Sequence, residues 1–220
     1  MTFNQLFHFI DNLDPSLKHM VMFYEEPEYA RLVQIRFLNH GLRNGECCVY
    51  VAPDDDLIRP EMMDWGIDVG NYEKQGLLQF HTQQLFMNGI ESYERTVSEL
   101  QKTVRDTFFA AQGKSTSTLP RVRGIGSTFR DTFIAKEGEN NSNKNNNSNR
   151  AQMLAIQPLV ERLIQSRGSG ELEGVWMCTY QVDSISEALN REWMAQVLDS
   201  HEAALLLPKL SNGVALDLRK

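Results

Sequence analysis

Hydrophobic positions along the chain recur with two alternating periods, which predict helices and strands in turn. The apolar run 19–24 is rich in strand formers and predicts a buried strand. Apolar residues spaced three or four apart over 32–42 then predict a helix that begins near Pro27 and ends before Gly45. A first, amphipathic helix is predicted by four apolar residues at helical spacing: Phe3, Leu6, Phe7 and Ile10.

The same alternation continues to the end of the chain. Further strands are predicted at 47–52, 77–81, 122–126, 175–180, 203–207 and 214–218, and helices at 58–65, 69–74, 90–111, 153–163 and 187–198. Central strands that are apolar along their whole length are typical of a parallel sheet covered on both faces. The pattern therefore predicts a three-layer α/β sandwich with a mainly parallel sheet, formed as a single domain over 1–220.

One segment, 137–149, has a different composition. Seven of the ten positions from 140 to 149 are Asn, and the others are Ser or Lys. Such a segment cannot bury apolar surface, so we expect a flexible insertion within the domain.

Charge and hydropathy narrow the class of protein. Lys and Arg number 22 against 29 Asp and Glu, a net charge of −7, which disfavours a broad nucleic-acid interface. No stretch approaches the roughly 20 apolar residues of a membrane span, and the N-terminus lacks the features of a signal peptide. The three cysteines lack zinc-type spacing and suit a reducing compartment. We therefore expect a cytoplasmic protein that binds neither membrane nor nucleic acid.

Ligands of such sheets bind beyond the carboxyl ends of the strands. After the first strand the chain reads Tyr24-Glu-Glu-Pro-Glu-Tyr29, without the glycines and lysine of a phosphate-binding loop. Three carboxylates stand where phosphate would bind, so ATP hydrolysis is not expected. The oxygen atoms of these carboxylates, and of the three aspartates at 54–56, are of the kind that binds Mg²⁺ or Ca²⁺. A solvated turn at 54–56 and a helix N-terminus after Tyr24, where the helix dipole favours negative charge, account for the acidic residues better than a cation site does. We predict no metal, no cofactor and no catalytic residue.

Arg123 is the most informative single charge. It lies within a predicted buried strand, where an arginine needs either an anionic ligand or an internal carboxylate to offset its desolvation. Both alternatives remain open. The candidate ligand-binding residues are His19, Tyr24, Glu25, Arg123, Cys178 and Tyr180.

Five segments in this order resemble the MEDS family, the methanogen/methylotroph, dichloromethane-repressor sensory domain. The similarity spans about 19–207, and the segments are His19–Glu25, Phe37–Val51, Arg121–Gly126, Val175–Tyr180 and Leu198–His201. Ser127 departs from the family pattern, which often has Glu after the glycine. The resemblance implies a degenerate relative of KaiC/RecA-type ATPases that senses a small molecule, proposed to be a hydrocarbon derivative, and signals to a regulatory partner. In the RecA-like strand order that it implies, the first, fourth and fifth strands are neighbours, so we expect one crevice at their carboxyl ends.

The leading functional hypothesis is therefore a non-catalytic sensory or regulatory module. It would bind a small molecule in a degenerate nucleotide-site pocket and act through a protein partner. The sequence is also compatible with a homo-oligomer. Two alternatives remain: a residual nucleotide-binding KaiC-like ATPase, and a structural partner of such an ATPase.

Overall fold

The computed structural model describes residues 3–52, 57–82, 90–113, 118–126, 173–182, 188–209 and 213–219. The predicted insertion at 137–149 and the predicted helix at 153–163 lie outside these ranges. The carboxylates of 54–56 and the hydroxyl of Ser127 lie outside them as well.

Helices and strands alternate along the described chain as the sequence predicts. The helices are α1 (Phe3–Asp11), α2 (Pro27–Arg43), α3 (Ile58–Asp64), α4 (Val69–Lys74), α5 (Ile90–Gln112) and α6 (Ala188–Leu198). The strands are β1 (His19–Tyr24), β2 (Cys47–Ala52), β3 (Leu78–Thr82), β4 (Val122–Gly126), β5 (Gly174–Gln181), β6 (Ala203–Leu207) and β7 (Val214–Asp217). None of the helices within these ranges is long and apolar enough to cross a bilayer.

The seven strands form one sheet in the order β3-β2-β4-β5-β1-β6-β7. All neighbouring pairs are parallel except β6 and β7, so the predicted mainly parallel sheet is confirmed. The expected neighbours β4, β5 and β1 are adjacent, with Val21 opposite Cys178 across the β1–β5 pair. The middle of the sheet is therefore built from strands that are far apart in sequence.

Helices cover the two faces of the sheet with different residues. On the face named here the α2 face, Met20, Met22 and Met177 pack in one core with Leu38 of α2. That core also contains buried residues of α1, α3 and α4. On the opposite face, named the α5 face, β2 and β4 pack against α5, and Trp176 joins them. Alternate residues of each strand point to opposite faces, so position along a strand decides which core a side chain enters.

Helix α2 has clear sequence signals at both ends. Pro27 occupies the first turn, where a missing N–H costs nothing. Past the last turn, Gly45 adopts a φ of 72°, a conformation that favours glycine. The chain then reverses directly into β2, which places Glu46 at the amino end of that strand.

An ion pair ties α1 to α2. The Asp11 carboxylate accepts two hydrogen bonds from the Arg36 guanidinium, one of them from Nε at 2.9 Å, and His40 Nδ1 lies 3.4 Å away. The Arg36 hydrogen bond holds the pKa of Asp11 below its usual range. Because this depressed pKa belongs to the folded state, the pair stabilises the fold above the ordinary aspartate pKa and loses that effect as the pH falls through the depressed value.

We predict that Asp11→Asn lowers the free energy of unfolding at pH 7 by about 1 kcal/mol, since the pair is only partly shielded from water. Urea denaturation of both proteins between pH 7 and pH 2 measures the effect. The difference should begin to shrink below about pH 4, where Asp11 of the unfolded chain becomes protonated, and should vanish once the pH has fallen through the lowered pKa of the folded state. The exposed Asp64→Asn is the control and should change stability little at any pH. A difference that stays constant down to pH 2 would contradict this account.

Candidate functional site

The candidate ligand-binding residues do not share one crevice. Tyr24 packs against the α2-face core, and Arg123 contacts α2 on that same face. His19, Cys178 and Tyr180 occupy alternate strand positions that point to the α5 face. The sheet therefore separates the two groups, and the expectation of a single crevice is wrong in its geometry. Ligand binding by these residues stays a prediction.

Arg123 is neutralised inside the protein. Its side chain is 3% exposed, and its Nε donates to Glu46 Oε2 at 2.5 Å. The guanidinium also lies over the Phe37 ring, 4.8 Å from the centroid, and donates to the Phe37 carbonyl at 3.4 Å. Arg121 approaches the other oxygen of Glu46 at 3.7 Å. Of the two alternatives for Arg123, the internal carboxylate is the one observed, so its burial requires no anionic ligand.

A close approach of α2 to the sheet fixes the Arg123 side chain. A Cβ on Gly41 would lie 2.8 Å from Cys48 Sγ and 2.9 Å from Arg123 Cδ. Only glycine leaves room there for the arginine to reach Glu46. The buried Arg123–Glu46 ion pair thus depends on the absence of a side chain at Gly41.

The connection from β1 to α2 consists of two residues, Glu25 and Glu26. Glu25 is held by backbone hydrogen bonds: its N–H donates to the Leu207 carbonyl at 3.0 Å, and its Oε2 accepts from the Lys209 N–H at 2.7 Å. Glu26 Oε1 lies 2.5 Å from Lys209 Nζ, and this hydrogen bond raises the pKa of the lysine. The N-terminus of α2 therefore carries carboxylates that are joined to the end of β6.

Two tyrosines lie near this connection at the carboxyl ends of β1 and β5. Tyr24 is partly buried on the α2 face, whereas Tyr180 is 2% exposed on the α5 face. The Tyr180 ring stacks on Phe23 with centroids 5.6 Å apart, and its hydroxyl hydrogen-bonds Cys178. Glu25 and Tyr24 thus remain together at one strand end, while Tyr180 belongs to the layer on the other side.

A second cluster occupies the α5 face and consists of His19, Cys178 and His201. His19 Nε2 lies 3.2 Å from Cys178 Sγ, and the two imidazole centroids are 3.8 Å apart. His201 Nδ1 lies 2.7 Å from the Val197 carbonyl at the end of α6, so this nitrogen carries the proton and donates. One ligand atom from each of the three residues falls within 4.8 Å of the others, an arrangement that could hold a metal ion.

Burial sets the protonation of this cluster. It lowers the pKa of His19 well below the usual value, and the nearby His201 lowers it further. It also lowers the pKa of His201 to about 4, against the opposing effect of the Val197 carbonyl. Burial raises the pKa of Cys178 to about 12, although the Tyr180 hydrogen bond favours the thiolate. At neutral pH the cluster therefore holds two neutral imidazoles and a thiol.

The sequence signal for this cluster is weak. His19 and Cys178 are 159 positions apart, and His201 follows the last turn of a helix. His201 is not among the predicted site residues, and its one distinctive signal is the segment 198–201 of the family resemblance. A further histidine, His81, lies apart from the cluster on β3, where its Nε2 is 3.3 Å from Gln79 Oε1.

The sheet order and the layers of helices define a KaiC/RecA-like α/β domain. The fold is similar to the crystal structure of a KaiC-like protein from the hyperthermophilic archaeon Pyrococcus horikoshii, with a TM-score of 0.50 and 14% sequence identity. The similarity covers 86% of this chain and 70% of that one.

A family model describes the chain more closely. The model of the MEDS domain, described as the methanogen/methylotroph, DcmR sensory domain, matches residues 18–202. The chain therefore belongs to the MEDS family, as the resemblance of its motifs implied. Membership of a family of sensory domains indicates a sensory or regulatory role. No curated protein matches the sequence.

We predict that Glu46→Gln costs about 3 kcal/mol of unfolding free energy, because it leaves the Arg123 charge buried without a carboxylate. Glu28→Gln, on the exposed first turn of α2, makes the same change in charge and should cost under about 0.5 kcal/mol. Chemical denaturation of both variants measures the difference. Equal losses would show that Glu46 is not what stabilises Arg123.

The close approach at Gly41 gives an independent prediction. Gly41→Ala should lower stability by about 1 to 3 kcal/mol, since the new methyl group collides with Cys48 and Arg123. Gly70, also within a helix, has open space where a Cβ would lie, so Gly70→Ala should raise stability by up to about 1 kcal/mol. Thermal unfolding of the two variants compares them directly. A gain in stability for Gly41→Ala would refute the close packing described above.

Proposed function

We propose that the chain is a non-catalytic sensory module that binds a small molecule at the carboxyl end of β1 and passes the signal to a protein partner. The proposed position corresponds to the nucleotide site of KaiC/RecA-type ATPases. Membership of a sensory-domain family and the KaiC-like fold support this proposal. Binding alone suffices for such a role, because a ligand that prefers one state of a protein shifts its population toward that state.

The observation that carries the proposal is the two-residue connection of Glu25 and Glu26. A phosphate-binding loop wraps its anion with glycine-rich backbone and a lysine, which together require about eight residues. Here β1 leads into α2 through two carboxylates that are bonded to Lys209. This geometry disfavours a polyphosphate and leaves the strand end to a ligand of different charge.

Tyr24 and Glu25 suit a small, mostly apolar molecule with one polar group. The aromatic ring of Tyr24 provides apolar contact area, its hydroxyl can donate or accept a hydrogen bond, and the Glu25 carboxylate can accept one. A hydrocarbon derivative with a hydroxyl or amine group fits this combination. Tyr180, near the end of the neighbouring β5, would act on the ligand through the packing of β5 against β1.

The connection also suggests how binding would reach a partner. Glu25 and Glu26 join the end of β1 to α2 and, through Lys209, to the segment after β6. A ligand that displaces either contact would change the position of that segment at the surface. The proposed partner is a regulatory protein that recognises this change, and a second copy of the chain is one form that it could take.

Ligand-observed NMR with dichloromethane, methanol and ethanol as probes tests this proposal. We expect saturation transfer to at least one of them, and a loss of the signal in Tyr24→Ala. Glu25→Gln should weaken binding of an alcohol by about tenfold, the effect of one hydrogen bond to a charged group. Glu28→Gln, in the first turn of α2, makes the same change in charge and should bind as the parent protein does. Equal transfer in all variants, or none with any probe, would contradict a ligand site at this strand end.

Nucleotide binding separates the proposal from the ATPase alternative. We predict that Mg²⁺–ATP binds no more tightly than millimolar, because the carboxylates of Glu25 and Glu26 repel phosphate. Isothermal titration calorimetry measures the affinity. A micromolar Kd that weakens in Pro27→Gly, which alters the start of α2, would instead support a residual nucleotide site.

A further inference from the structure

The His19–Cys178–His201 cluster leaves two buried nitrogens without a partner. His19 is 1% exposed and His201 is 5% exposed, yet His19 Nδ1 and His201 Nε2 make no hydrogen bond. Leaving a buried polar group without a hydrogen-bond partner destabilises the fold. At His201 the unsatisfied atom is Nε2, which can take a ligand, whereas His19 faces Cys178 with its Nε2, so a shared ligand would not use His19 Nδ1.

His201 is oriented as metal-binding histidines usually are. Its Nδ1–H donates to the Val197 carbonyl, and Ser200 Oγ lies 3.1 Å from the same nitrogen. This bond fixes the tautomer and leaves the lone pair of Nε2 unused. Histidines that bind metals almost always donate their other N–H to a carbonyl or carboxylate in this way.

His19 and Cys178 already stand near the separation of two ligands on one ion. Their Nε2 and Sγ atoms are 3.2 Å apart, while the ligands of a tetrahedral zinc ion are separated by roughly 3.3 to 3.6 Å. All three ligand atoms lie within 4.8 Å, so an inward shift of about 1 Å would complete the set. The Tyr180 hydroxyl, bonded to Cys178, would support the thiolate from outside.

We propose that His19, Cys178 and His201 bind one Zn²⁺ ion, with Nε2 of each imidazole and Sγ of the cysteine as ligands. The residue types select this class of metal. Imidazole and thiolate suit zinc, whereas Mg²⁺ and Ca²⁺ require oxygen ligands that the cluster does not offer. Three protein ligands leave the fourth tetrahedral position open to water. The proposal does not depend on small-molecule binding at the β1 strand end.

Binding has a defined proton balance. Zinc forms two bonds to nitrogen and one to sulfur, and the S–H bond of Cys178 breaks. The imidazoles are neutral at pH 7 and contribute a lone pair each, so the thiol alone releases a proton, which goes to the buffer. The expected release is therefore one proton per ion when the open position holds neutral water.

The experiment uses the full chain, first stripped with a chelator and then given Zn²⁺ both in the native state and during refolding. Elemental analysis after dialysis should find one zinc per chain, and none should be retained when Mg²⁺ is supplied instead. Titration calorimetry in buffers of different ionisation enthalpy should report about one proton released. Bound zinc should also raise Tm, because it favours the native state.

Cobalt substitution identifies the ligands. Co²⁺ bound at the cluster should show a sulfur-to-metal charge-transfer band and the visible bands of tetrahedral coordination. Cys178→Ser should abolish the charge-transfer band, and His201→Gln should weaken metal binding by at least about tenfold. Cys47→Ser and His81→Gln change the same residue types outside the cluster and should leave the spectrum unchanged.

Two outcomes would overturn the proposal. One is a folded parent protein that retains no zinc and shows no cobalt–thiolate band after either route of loading. The other is a cobalt–thiolate band that survives in Cys178→Ser but disappears in Cys47→Ser. Because the parent protein alone supplies the first outcome, the proposal remains testable even if a buried variant fails to fold.

Discussion

Both faces of the parallel sheet are covered, and this constraint determines which side chains can meet. Successive residues of a buried strand enter two separate cores, so a shift of one position moves a side chain to the other side of the sheet. Tyr24 and Arg123 lie on the α2 face, whereas His19, Cys178 and Tyr180 lie on the α5 face. Every polar group of these strands must therefore find its partners within its own layer.

The two layers meet this requirement with different chemistry. On the α2 face, Arg123 is charged, and its buried charge is stabilised by the Glu46 carboxylate and by the Phe37 ring beneath the guanidinium. On the α5 face, His19 and His201 avoid charge, because burial keeps both imidazoles neutral. An ion pair on one side fixes α2 against the sheet, and a neutral cluster on the other side keeps lone pairs available. The first arrangement suits a structural role and the second suits ligation.

The sequence predicts the strands well because each is a short apolar run between turn residues, as His19–Tyr24 shows. It also predicts that β1, β4 and β5 are neighbours. It cannot predict the partner of Arg123, because Glu46 becomes adjacent only through the pairing of β2 with β4. The approach of His201 to Cys178 depends in the same way on where α6 ends above the sheet. Residue type and spacing identify candidates, whereas strand order and face decide which of them make contact.

The short connection between β1 and α2 also limits how the site can change during evolution. Replacing Glu25 and Glu26 by any other pair still leaves two residues between the strand and the helix. A phosphate loop needs about eight, so point substitutions cannot convert one arrangement into the other. Only an insertion could do so, and it would have to break the contacts of this turn with Leu207 and Lys209. The loop length thus acts as a barrier between this arrangement and a phosphate-binding loop, whatever residues occupy the turn.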